Sequence, residues 1–163
     1  NSCSVGIEIV NPGHELGYPK FPKRQIDSVI ALCEGIVERC AVPSERILAH
    51  SDVSPGRKVD PGEKFPWRAL ARAGIGHFVE PARVRKGAVL LPGAQGHPVE
   101  QLQSMLALYG YGVEITGVFD RETQIVVAAF QRHFRPRCVD GIADPATIET
   151  LRRLLSRLPR DPA

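Results

Sequence analysis

Between residues 21 and 40 the apolar side chains return every three or four positions, at Ile26, Val29, Ile30, Cys33, Ile36 and Val37. That spacing predicts an amphipathic helix laying one face on a core. Pro22 suits its first turn and Pro43 stops it. Ahead of it, residues 4–10 are short, rich in β-branched side chains and bounded by Asn11-Pro12-Gly13, which predicts a buried strand. Ile47-Leu48-Ala49-His50 predicts a second short strand, running into a polar, Pro/Gly-rich loop over residues 51–66. Strand, helix and strand in that order suggest a βαβ-type unit.

The pattern changes at residue 80. Residues 80–97 hold Pro81, Gly87, Pro92, Gly93 and Gly96 without a helical period and read as a linker. Three short helices are predicted beyond it. Val99, Leu102, Leu106 and Tyr109 mark the first, and Val126, Val127 and Phe130 the second, with Asp120 as its N-cap. Ile148, Leu151 and Leu155 mark the third, which Asp144 caps and Pro145 opens. The division expected is 1–79, a linker at 80–97, and a small helical domain over 98–158, near the lower size limit for independent folding.

The chain has 163 residues, 43% hydrophobic and 24% charged, the balance of a globular protein. No apolar run reaches the roughly 18 residues of a membrane span. The net charge is +3; the first 80 residues balance, so the excess lies beyond them. No basic stretch is interleaved with aromatic residues, which argues against nucleic acid as a partner. Cys3, Cys33, Cys40 and Cys138 form no CxxC pair. Cys33 and Cys40 lie about 10 Å apart along one helix, too far for a disulfide, and Cys33 reads as a buried thiol. The chain starts at Asn1 rather than Met, which reads as a processed or trimmed product.

The richest stretch chemically is His50-Ser51-Asp52-Val53-Ser54-Pro55-Gly56-Arg57-Lys58-Val59-Asp60-Pro61-Gly62. It sets an imidazole and, ten residues later, a carboxylate at the two ends of a loop stiffened by prolines. Zinc accepts both donor types, and a catalytic site leaves one position for water. On spacing alone, a hydrogen-bonded structural pair is an equal reading.

That stretch, with Phe65-Pro66-Trp67 after it and Gly6-Ile7-Glu8-Ile9-Val10-Asn11 before it, resembles the zinc-dependent N-acetylmuramoyl-L-alanine amidases of the AmpD/AmiD type (amidase_2, related to peptidoglycan-recognition proteins). Leu102-Gln103, Gly110-Tyr111, Gly117-Val118-Phe119-Asp120 with Thr123, Phe130-Gln131 and Asp140-Gly141 are similar to the three-helix peptidoglycan-binding domain. The fold implied is α/β, a mixed central sheet flanked by helices and missing its first strands, plus a small all-α three-helix domain. The activity implied is hydrolysis of the amide between N-acetylmuramic acid and L-alanine in peptidoglycan or muropeptides.

The resemblance makes His50 and Asp60 two of three ligands of Zn²⁺, Glu8 the catalytic glutamate and Lys58 the catalytic lysine. The family's first ligand is a histidine on an early strand, expected upstream of Asn1; His14 follows the Glu8 strand and does not replace it. A proteolytic remnant, an upstream fragment that stays associated, or a shortened chain each accounts for that. The implied location is the bacterial cell envelope, periplasmic, with the cytoplasm as the alternative. A rival reading is a non-catalytic peptidoglycan-binding protein, and a third is a zinc peptidase acting within the stem peptide.

Simpler roles are expected for the rest. Asp52 reads as a turn residue bonding local amides, Arg57 as a surface charge, and Trp67 as a core anchor. His77, His97 and His133 read as surface or linker histidines, and Leu102, Leu106 and Phe130 as core.

Overall fold

The structure is a computed structural model, and it describes residues 3–83 and 86–159. Helix α1 spans Lys23–Cys40, with Pro22 as its N-cap and Ala41, in the left-handed region, closing it before Pro43. Its periodic face buries Ile26, Val29 and Cys33. A four-residue helix α2 (His50–Val53) and a six-residue α3 (Trp67–Arg72) follow. With α1 they enclose a first core of Ala49, Phe65, Trp67, Leu70 and Ile75. Aromatic edges knit it, with Phe65 meeting Phe21 at 5.3 Å and Trp67 at 4.8 Å between ring centres.

The expected mixed sheet is not seen among the described residues. Among the described residues there are only two isolated antiparallel bridges, Leu90 with Ala143 and Gln95 with Val118, both outside the predicted strands. A strand persists only as a member of a hydrogen-bonded ladder, and no described segment offers one to residues 4–10. The alternation survives without the ladder: Ile7 and Ile9 are half-buried against the first core and Glu8 is exposed. Residues 47–50 are likewise not a strand. A single 3₁₀ turn, Ser44–Arg46, precedes them, and His50 is the first residue of α2 rather than a strand end.

The second core lies between α4 (His97–Tyr109), α5 (Arg121–Phe134) and α6 (Pro145–Leu155). Leu102, Leu106, Phe130 and Leu151 sit at its centre, each at most 1% exposed. Asp120 and Asp144 cap α5 and α6 by accepting the Thr123 and Thr147 amides, both at 2.8 Å. The segment predicted as a linker packs on this core. Within it Ala82 and Leu90 are buried, as is Val79 just before it, the Ala82 amide donates to Thr150 Oγ1 at 3.0 Å, and Leu90 pairs with Ala143.

Two fully buried glutamines organise the turns between these helices in the same way. Gln103 Oε1 accepts the Thr116 and Gly117 amides, and its Nε2 donates to Thr116, Val118 and Thr123. Gln131 Oε1 accepts the Asp140 and Gly141 amides, and its Nε2 donates to Asp140, Ile142 and Thr147. Each side chain thus satisfies amides that would otherwise be orphaned in a turn. Gly141 takes φ +71° and lies so close to α5 that a Cβ would meet Gln124 at 2.7 Å, so the turn requires glycine.

Candidate active site

The loop between α2 and α3 folds back on itself through its backbone. The Ser51 amide donates to the Asp60 carbonyl at 3.0 Å, while Arg57 and Lys58 both donate their amides to Ser54. This closure brings the two ends of the motif together: His50 Nδ1 lies 3.0 Å from Asp60 Oδ2. Both side chains face solvent, at 47% and 59% exposure, so a ligand can reach the pair.

Each end of the loop is fixed from outside. At the Asp60 end, the buried Tyr18 hydroxyl donates to the Pro61 carbonyl at 2.7 Å and accepts the Lys64 amide at 2.8 Å. Burial raises the Tyr18 phenol above its ordinary range, so it stays a neutral donor. Gly62, at φ +81°, lies under that hydroxyl, and a Cβ there would approach it to 2.4 Å.

At the His50 end the anchor is Asp52. Its Oδ2 accepts the Ala49 amide at 2.8 Å and His133 Nδ1 at 2.7 Å, and its Oδ1 accepts the Tyr111 hydroxyl at 2.7 Å. Asp52 and His133 side chains are 5% and 4% exposed. Burial pushes the Asp52 carboxyl up, but the His133 ring, the Tyr111 hydroxyl and the Ala49 amide outweigh it and hold the carboxyl below its usual range. The Tyr111 phenol is driven well above its ordinary range by burial and by the Asp52 charge.

These contacts correct one expectation and extend another. Asp52 does bond a local amide, but it is also the centre of a buried network reaching across the molecule. His133 is not a surface residue: its ring lies between Trp67, at 3.8 Å, and Phe134, at 3.9 Å. A signal for its burial was present, since His133 falls three residues after Phe130 and seven after Val126 on the apolar face of α5. His77 is half-buried and stacks on Tyr109, to whose hydroxyl its Nδ1 is bonded at 2.9 Å. His97 is exposed and opens α4, and Trp67 is buried as a core anchor.

Glu8 and Lys58 are exposed, and among the described residues neither side chain forms a hydrogen bond or ion pair. They are thus free to face a ligand, but they are not joined to the His50–Asp60 pair. His14 is engaged elsewhere, with its Nε2 3.0 Å from Glu63. An imidazole nitrogen and a carboxylate oxygen side by side, both open to solvent, fit two of the three protein donors of a catalytic zinc site. No group of three His, Cys, Asp or Glu side chains gathers among the described residues.

Comparison with known proteins follows the two cores. Residues 1–63 match the family described as N-acetylmuramoyl-L-alanine amidase, and residues 95–151 the family described as putative peptidoglycan binding domain. The chain is 37% identical over 169 residues to N-acetylmuramoyl-L-alanine amidase AmiD of Escherichia coli K12, which aligns with 99% of this chain and 60% of its own length. A solved structure of E. coli AmiD, in complex with the substrate anhydro-N-acetylmuramic acid-L-Ala-D-γ-Glu-L-Lys, superimposes with a TM-score of 0.72 at 36% identity, over 88% of this chain and 56% of that one. AmpDh3 of Pseudomonas aeruginosa gives a TM-score of 0.72 at 26% identity, over 92% of this chain and 59% of that one. The chain therefore spans little more than half the length of these relatives.

Proposed function

We propose that the protein carrying this chain hydrolyses the amide between N-acetylmuramic acid and L-alanine in peptidoglycan or muropeptides, a reading supported by the amidase match over residues 1–63 and the peptidoglycan-binding match behind it over residues 95–151. The observation that carries this reading is the convergence of His50 and Asp60 to 3.0 Å on an open surface, inside the motif shared with the amidases. His50 and Asp60 would hold Zn²⁺, and a histidine from outside residues 1–163 would complete the donor set. A zinc ion so bound acidifies water and polarises the scissile carbonyl.

The chain's own residues divide the remaining work. Glu8 is the general base that takes a proton from the attacking water and returns it to the departing L-alanine nitrogen. Lys58, two residues before Asp60, holds its ammonium near the carbonyl oxygen as negative charge develops there. The Ser51–Asp60 closure and the Tyr18 contact keep that loop in one geometry before substrate arrives, so less ordering is left for the reaction itself.

The helical segment retains the enzyme on polymeric wall and raises the local substrate concentration. It also supports a location in the cell envelope, periplasmic in a cell with two membranes. Among the described residues no helix is long and apolar enough to cross a membrane.

Metal analysis and product analysis on the protein carrying this chain test the reading together. About one zinc per molecule is expected, with L-alanine-terminated peptides released from muropeptide. A protein without zinc that binds wall and releases nothing is instead a peptidoglycan-binding protein. New amine termini within the stem peptide would make it a peptidase.

A further inference from the structure

The helix that presents His50 is too short to hold itself. An isolated turn does not repay its nucleation cost, and α2 has four residues. Its shape is fixed by Asp52, whose Oδ2 holds the Ala49 amide at 2.8 Å and so sets the chain direction entering His50. Between His50 and Asp52, the Ser51 amide holds the Asp60 carbonyl. One buried carboxylate thus governs the turn carrying one donor, and through the next residue the backbone of the other.

That carboxylate is itself held from the far half of the chain. His133 is 81 residues away in sequence and Tyr111 is 59 away, and both come from the helical half. The His133 ring cannot swing away, because Trp67 stacks on it at 3.8 Å and Phe134 at 3.9 Å. Tyr111 is 6% exposed and packs edge-on against Phe130, itself fully buried. Bonds of 2.7 Å to a buried carboxylate are short, directional and costly to break. A tether needs none of this: it requires only a connecting segment and a wall-binding surface.

We infer that His133 and Tyr111 are positioning residues for the His50–Asp60 pair, acting through Asp52, so that the peptidoglycan-binding half is part of the framework of the amidase site. The functional meaning of this rests on the amidase reading. The geometric part does not, because the orientation of the pair can be measured without metal.

Three substitutions in the protein carrying this chain separate the contributions. His133→Phe keeps a ring between Trp67 and Phe134 and removes the bond to Asp52. His133→Asn keeps a donor near the position of Nδ1 and loses the ring. Tyr111→Phe removes one hydroxyl and nothing else, and is the mildest should His133→Phe fold poorly. Leu154→Val, in the second core and outside the site, serves as the stability control.

On a soluble muropeptide, where wall tethering plays no part, His133→Phe and Tyr111→Phe are expected to lower zinc affinity and kcat by about tenfold, with KM little changed. His133→Asn recovers most of the loss. Hydrogen exchange without metal is expected to show lost protection at residues 49–60 in His133→Phe and Tyr111→Phe, and Leu154→Val to lower the melting temperature without either effect. Unchanged exchange and zinc affinity in both His133→Phe and Tyr111→Phe overturns the inference, as does an equal zinc defect in Leu154→Val at a matched melting temperature. A parent protein that neither holds zinc nor cleaves muropeptide overturns the amidase reading, while the exchange data still decide the positioning role.

Discussion

The Tyr18 hydroxyl donates to the carbonyl of Pro61 at 2.7 Å, one residue beyond the carboxylate that meets His50. The same oxygen accepts the Lys64 amide, so a single phenol fixes the chain on both sides of Gly62. Tyr18→Phe removes both bonds and leaves the ring. A loss of about 2 kcal/mol in unfolding free energy is expected, from one unpartnered amide and one lost donor. Chemical denaturation at neutral pH measures it, and a change below a few tenths of a kcal/mol would show that the loop does not depend on this contact.

Glu8, Lys58 and the His50–Asp60 pair are expected to separate into two phenotypes. Glu8→Gln is expected to retain zinc and lose about 10²- to 10⁴-fold in kcat, the usual range for a general base. Lys58→Met is expected to retain zinc and lose about 10²-fold or more. His50→Ala and Asp60→Ala are expected to lose the metal itself. Zinc content alongside muropeptide turnover in the four variants decides the assignment; metal loss in Glu8→Gln would move Glu8 from base to ligand.

The paired glutamines of the helical half offer a stability test independent of activity. Gln131→Leu fills a similar volume but strands the Gly141 amide, which is buried, and the Asp140 amide with it. Leaving the buried glycine amide unpaired costs about 1–3 kcal/mol. Gln103→Leu does the same to the Thr116 and Gly117 amides. Both variants are therefore expected to melt well below the parent protein, and a parent-like melting temperature in either would show that water or a shifted turn satisfies those amides.

Asp120 supplies a pH-dependent contribution whose sign is fixed. The amide and hydroxyl of Thr123 hold its carboxyl below the usual range, so the folded state favours the ionised form. Its contribution is therefore fully present above the unfolded carboxyl value of about 3.9 and is lost as pH falls through the lower folded value. Asp120→Ala is expected to cost about 1 kcal/mol at neutral pH, as other N-cap losses do, and the gap to the parent should close on acidification. Asp120→Asn is expected to keep most of the cap. Urea unfolding at several pH values reads both, and a gap that stays constant below pH 3 would contradict the assignment.

Features set by near neighbours in sequence were readable without the structure. The period through Ile26, Val29 and Cys33 marks the buried face of α1, because helix geometry puts residues three and four apart on one side. Asp120 and Asp144 announce the starts of α5 and α6, since a capping carboxylate bonds an amide only three residues away. The spacing of His50 and Asp60 left metal ligation and a structural pair as equal readings, and only the resemblance to the amidases favoured the first.

The sheet was not readable, because alternation at Ile7, Glu8 and Ile9 sets which side chains face inward but not whether a neighbouring strand exists. Nor was the Asp52–His133 bond. A buried imidazole–carboxylate bond forms only where two halves of the chain have already packed, and nothing local to either residue specifies the other. The sequence alone determined α1, α4, α5 and α6 and the Asp120 and Asp144 caps, which depend on spacing along one segment. Tertiary structure decided that His50 and Asp60 sit 3.0 Å apart and that residues of the helical half bond Asp52 in the turn that carries His50, because those facts depend on segments brought together by burial.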